Sequence, residues 1–197
     1  MKVKKENVVN TYIASDNSVK NVLRTMFPDI DFEAEKQAKK SPVTERVKTF
    51  EDACRELGED HPFVRTYDGY AKNISEENKK DVDVIAYLKL RIIADALNEG
   101  WKPQLKKGER CWFPWFSMLT EEELLDKSDE WKADRHLISI GDYSGDWAGF
   151  ACANSCYAPS CMYPALGSHL CFKCKELAEY CGKQFISLWA DFALIKK

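Results

Sequence analysis

The stretch from Asp81 to Asn98 leaves a folding chain few options. Val82, Val84, Ile85, Tyr87, Leu88, Leu90, Ile92, Ile93, Ala94, Ala96 and Leu97 are apolar. A helix carrying them has little polar surface on any side, so other elements must wrap it. Gly100 and Pro103 mark its end. At 197 residues and 45% apolar, the chain has the material for that wrapping.

The rest of the first hundred residues also reads as helical. Ser15 or Asn17 can cap a helix whose apolar positions are Val19, Val22, Leu23 and Met26, stopped by Pro28. Residues 29–42 are charged and thin in apolar side chains, which suits a linker or a solvated helix. Thr49 and Asp52 stand at capping-box spacing ahead of Phe50, Ala53, Cys54 and Leu57, and Gly58 is placed to end that helix. Residues 59–80 read as a polar loop.

After Gly100 the character changes. Cys111–Met118 is aromatic and strand-like, with Pro114 favouring an edge or a bulge. Trp112, Phe113, Trp115 and Phe116 alternate faces poorly, so some are expected at the surface or at an oligomer contact. Thr120 and Glu123 predict a second capping box. His136–Ile140, Trp147–Cys156 and Ser168–Phe172 are further strand candidates. Leu177, Ala178, Cys181, Phe185, Leu188, Trp189 and Phe192 form the stripe of a closing helix, with Gly182 a point of close packing. The expected fold is α+β: a helical N-terminal portion, a small aromatic-rich antiparallel sheet and a packed C-terminal helix. The expected division is an N-terminal helix and charged linker over 1–42, then an α+β domain over 43–197.

Charge excludes some functions. The net charge is −3, and neither half is basic, so a nucleic-acid partner is not expected. No apolar run approaches a membrane span. Met1–Asp16 lacks the apolar core of a secretory signal.

Eight cysteines suggest metal, and seven lie in the second half. Cys171 and Cys174 have C-x₂-C spacing, and Cys152, Cys156, Cys161, His169 or Cys181 could complete a tetrahedral site, with Cys161 and His169 the set carried forward. A second C-x₂-C is absent, so free thiols compete with that reading and no cofactor is assigned. Cys171 with His169 makes a poor nucleophile pair, because two positions apart on a strand only share a face. Asp142 and Asp146 fit turn chemistry in Gly141–Asp146 better than paired carboxylates. No phosphate loop or nucleophile elbow occurs, and an enzyme is not expected.

From His136 to Phe172 there is no Lys, Arg, Glu or Gln. Lys, Glu and Gln make up 42 of the 197 residues, so about eight belong in those 37 positions by chance. One reading is a buried or tightly turning β region. The other is a recognition surface, where Tyr gives contact area and Ser, Asn and Gly give adaptable hydrogen bonds. Randomising adenines in Asn-type codons yields the same alphabet, as diversity-generating retroelements do, although Trp147 and Met162 are out of reach of that route. On the second reading segment 142–166 is the variable-type face, with Tyr143, Trp147, Phe150, Asn154, Tyr157 and Tyr163 as contacts.

Three segments carry a resemblance: Glu45–Cys54, Ile85–Pro103 and Gly167–Phe185, together spanning roughly residues 44–195. They resemble a group of mostly uncharacterised proteins of gut-bacterial phages and integrated elements. The resemblance implies provenance, a phage or an integrated element, more than chemistry. With the residue bias of 142–166 it leads to the expectation of a non-enzymatic, virion-associated or binding protein with a protein or glycan partner, in a homo-oligomer or particle assembly, located in a virion or the host cytoplasm. In that group position 169 is usually Arg, 174 Ser or Thr and 181 Ala, so His169, Cys174 and Cys181 here are departures that weaken a zinc site. Two alternatives remain: an intracellular accessory protein with a structural Cys/His zinc site, and a capsid or tail subunit without ligand.

Overall fold

The computed structural model describes residues 5–38, 41–73, 82–104, 106, 108–143, 145–158 and 168–197. The chain is α+β and divides into two compact units, Met1–Arg46 and Val47–Lys197; the sequence placed the boundary at 42.

The first unit holds helices α1 (Lys5–Ala14), α2 (Asn17–Met26), α3 (Phe32–Ala38) and α4 (Val43–Arg46). Asp16, between the two expected caps, starts α2 by accepting the Val19 N–H at 3.0 Å. Of the two expectations for 29–42, residues 32–38 take the helix, though it buries Phe32. The Asp31 carboxylate accepts the N–H groups of Glu33 and Ala34, which opens α3. Phe32 then stacks on Tyr12 at 4.3 Å within a small core with Val8 and Val9. The Tyr12 hydroxyl donates to Glu33 at 2.8 Å, and Arg24 reaches the same carboxylate.

In the second unit come α5 (Phe50–Leu57), α6 (Pro62–Asn73) and α7 (Val82–Asn98). They are followed by β1 (Cys111–Leu119), α8 (Glu121–Leu125), α9 (Asp129–Asp134), β2 (Ile138–Ser139) and β3 (Gly149–Ala158). The unit closes with a 3-10 turn (Ser168–Leu170), α10 (Lys175–Gln184) and α11 (Ile186–Ala193). The capping boxes of α5 and α8 form as expected. Gly58 ends α5 with φ 86°, a conformation that favours glycine. As its composition demands, α7 is wrapped: α5, α6 and α11 all pack on it, and Leu90, Ile92, Ile93 and Leu97 are buried. Among the described residues no helix is long and apolar enough to cross a membrane.

Three expectations are corrected here. Residues 62–73 of the supposed polar loop are helix α6, because Pro62 suits a first helical turn. His61 also caps it, Nδ1 accepting the Phe63 N–H at 3.4 Å and Nε2 meeting Asp95 at 3.1 Å. Ser168–Phe172 is not a strand but the 3-10 turn followed by one bridge, Phe172 to Trp112. The closing stripe is two helices. Phe185 leaves helical geometry (φ −116°, ψ 31°), ending α10 and starting α11.

The sheet order is β1-β3-β2, antiparallel throughout. β1 and β3 pair from Cys111 with Ala158 to Leu119 with Gly149. The register shifts once: Trp115 faces Asn154 but Phe116 faces Cys152, leaving Ala153 as a bulge. The inner face packs on α10 and α11. There Phe116 stacks on Phe150 at 4.6 Å and lies 5.5 Å from Trp189. Gly182 of α10 is the close approach the sequence suggested: a Cβ there would sit 2.7 Å from Cys152 Sγ and 2.8 Å from Pro114 Cβ.

Candidate recognition face

The bulge sets which residues of β3 share a face. Side chains of directly paired residues share a face. Phe150 and Cys152 therefore lie on the inner face with Phe116 and with Met118, which is 40% exposed near the strand's end. One residue later the alternation has slipped. Asn154 and Cys156 pair with Trp115 and Phe113 on the outer face, while Ser155 and Tyr157 lie on the inner side. Ser155 donates to Glu179 of α10 at 3.3 Å.

The outer face is covered at both ends. Cys111 and Phe113 are buried with Cys171, and Trp101 packs over them. At the other end Leu124 and Leu137 close over Gly149, where a Cβ would come within 3.0 Å of them. The middle is open: Trp115 is 50% exposed, and Asn154 and Cys156 are exposed beside it. These residues are uncharged. Arg110 stands over the Tyr157 ring at 4.8 Å, and Trp112 lies 5.0 Å from that ring on the inner side.

The six expected contacts divide. Tyr143 and Phe150 are corrected: they are 8% and 3% exposed and belong to the interior. Phe150 is sealed under α11 by its stack with Phe116. The Tyr143 hydroxyl donates to Asp191 at 2.6 Å, and burial together with that carboxylate pushes its pKa far up. Trp147 (41% exposed), Asn154 and Tyr157 (43% exposed) do reach the surface. They do not converge: Gly149 and Tyr157 alone are about 26 Å apart along the strand, with Trp147 beyond the Gly149 end. Tyr163 lies outside the described residues. Trp115 was missing from the set, although the poor alternation of the Trp112–Phe116 cluster was its signal.

The metal alternative fares differently residue by residue. Cys161 lies outside the described residues. His169 is exposed on the 3-10 turn. Cys171 is buried and donates to the Ser168 carbonyl at 3.1 Å. Cys174 occupies the N-cap of α10. Among the described residues no three His, Cys, Asp or Glu side chains gather as a metal site. Burial pushes the Cys171 thiol up to about 12 and the Cys152 thiol to about 11, so with no metal bound both are neutral thiols near pH 7.

A cleft of about 230 Å³ lies beside the turn, lined by Phe63, Asp95, Asn98, Trp101, His169 and Cys171. Its deeper polar groups serve the fold. The Asn98 amide donates to the Cys171 carbonyl at 2.8 Å and accepts the Lys173 N–H at 3.0 Å, and Asp95 holds His61. The outer middle of the sheet is thus the better candidate site. Compared with protein-family models, curated proteins and solved structures, the chain finds no match in any of the three.

Proposed function

We propose that this chain is a non-enzymatic recognition protein of phage type, carried on a virion or acting beside one. It contacts a receptor or glycan through the outer face of β1 and β3. The observation that carries the reading is the cross-strand pair Trp115–Asn154, left uncovered between two covered ends of one sheet face. An exposed Trp beside an amide gives contact area with adaptable hydrogen bonding. Tyr157, exposed on the opposite face of β3, and Trp147, beyond its Gly149 end, lie outside this patch. The absence of Lys and Glu from β3 fits this use, since no ionic side chain needs to be desolvated on binding.

The test is binding of fluorescently labelled protein to a panel of gut-bacterial cells, with Trp115→Ala and Asn154→Ala as variants and Tyr157→Ala, on the opposite face, as the control. Reduced binding by the first two with a melting temperature within about 2 °C of the parent supports the reading. Unchanged binding by both, or an equal loss in Tyr157→Ala, overturns it.

A further inference from the structure

Resting on the recognition reading above, we infer that the ligand of this face is an uncharged carbohydrate, bound by stacking of a sugar ring on the Trp115 indole with Asn154 donating to and accepting from its hydroxyls. Size comes first. The exposed residues, Trp115 with Asn154 and Cys156, lie between the buried Phe113 and the fully buried Ala151 that pairs with half-buried Ser117, limits four residue steps or about 13 Å apart at most. Across β1 and β3 the opening is about 10 Å wide. A protein partner needs roughly 800 Å² on each side, several times what this opening offers. One or two sugar rings match it.

The chemistry agrees. Trp115 presents a flat apolar surface, half exposed, anchored in a paired strand rather than in a loop. Such a platform loses little entropy on binding. The C–H face of a pyranose is the complement of an indole face. Asn154 has two amide donors and a carbonyl acceptor, and it stands across the strand from Trp115. A hydroxyl-rich ring requires that mixture of donors and acceptors. Cys156 adds only a weakly polar thiol. None of the strand residues Trp115, Ser117, Asn154 and Cys156 is charged, so the strands themselves offer no partner to a sulfated or carboxylated sugar.

Two measurements test this. In the first, soluble glucan, mannan and galactan are titrated into the protein while tryptophan fluorescence is followed. At least one polymer is expected to bind the parent, Trp115→Ala to weaken that binding at least tenfold, and Trp115→Phe to recover part of it. In the second, cells that capture the labelled protein are treated with periodate, which cleaves sugar diols, or with protease. Capture lost after periodate and kept after protease supports the inference. Capture lost after protease and kept after periodate, with no polymer bound, overturns the carbohydrate and leaves recognition standing. If no cell captures the protein and no polymer binds, the recognition reading falls as well.

Discussion

The two halves of β3 use one alphabet for opposite ends. Gly149–Cys152 is free of Lys, Arg, Glu and Gln because it is sealed: Phe150 stacks on Phe116, and Cys152 touches the point where α10 comes closest. Asn154–Tyr157 is equally free of them, yet Asn154, Cys156 and Tyr157 reach solvent. A buried β region and an open contact surface are thus successive stretches of one strand, parted by the bulge at Ala153. Composition over a window cannot separate the two causes, since both exclude long ionic side chains.

Substitutions can break that contrast. The largest expected effect is Phe150→Ala, which empties the stack under Trp189 and should cost about 3–5 kcal/mol in urea unfolding. A cost under about 1 kcal/mol would mean that the sealed half is not sealed. Next is Gly182→Ala. Its gain in helix propensity, about 1 kcal/mol, is set against a Cβ pressed on Cys152 and Pro114, with overpacking costs of about 1–3 kcal/mol. Net destabilisation is expected, relieved in part by Cys152→Ala in a double-mutant cycle.

Thr49→Ala sharpens the contrast from a distance, as a change of ordinary helix stability. It removes the hydroxyl that accepts the Asp52 N–H at 3.1 Å and should cost about 1 kcal/mol. The reciprocal half of that box depends on pH. Burial pushes the Asp52 carboxyl up, but the N–H groups of Lys48 and Thr49, the Thr49 hydroxyl and Arg55 outweigh it and hold the group below its ordinary value. A lowered carboxyl contributes its stability above the unfolded value of about 4, and loses it as pH falls through the folded one. Asp52→Asn should therefore flatten the acid limb of a thermal-stability profile. The smallest effect is expected in the open half. Asn154→Ala and Tyr157→Ala should shift stability by no more than about 0.5 kcal/mol. A loss of 2 kcal/mol or more would make them structural and remove the contact face.

Much of the fold was legible. The all-round apolar character of α7, the boxes at Thr49 and Thr120, the Pro114 edge strand and the tight packing at Gly182 each follow from a local rule with a physical cause. The failures have separate causes. Helix α6 hid although Pro62 stands at its start, because its cap is a histidine paired with Asp95, thirty-four residues away. The break at Phe185 hid because the apolar stripe continues through it. The candidate face was partly legible: Asn154 lies on it, where the residue bias pointed, and Tyr157 is exposed on the opposite face of the strand. Phe150 and Tyr143 share that bias, but helices over the inner face and Asp191 claim them. No sequence period reveals a bulge that inverts which alternate residues face inward.

That one extra residue has an evolutionary consequence. Positions before Ala153 answer to the helices, and those after it answer largely to solvent, so errors in the second group do not propagate into the first. A lineage could redraw residues 154 and 156 generation after generation, drifting freely in what it meets outside, while inheriting an unaltered interior.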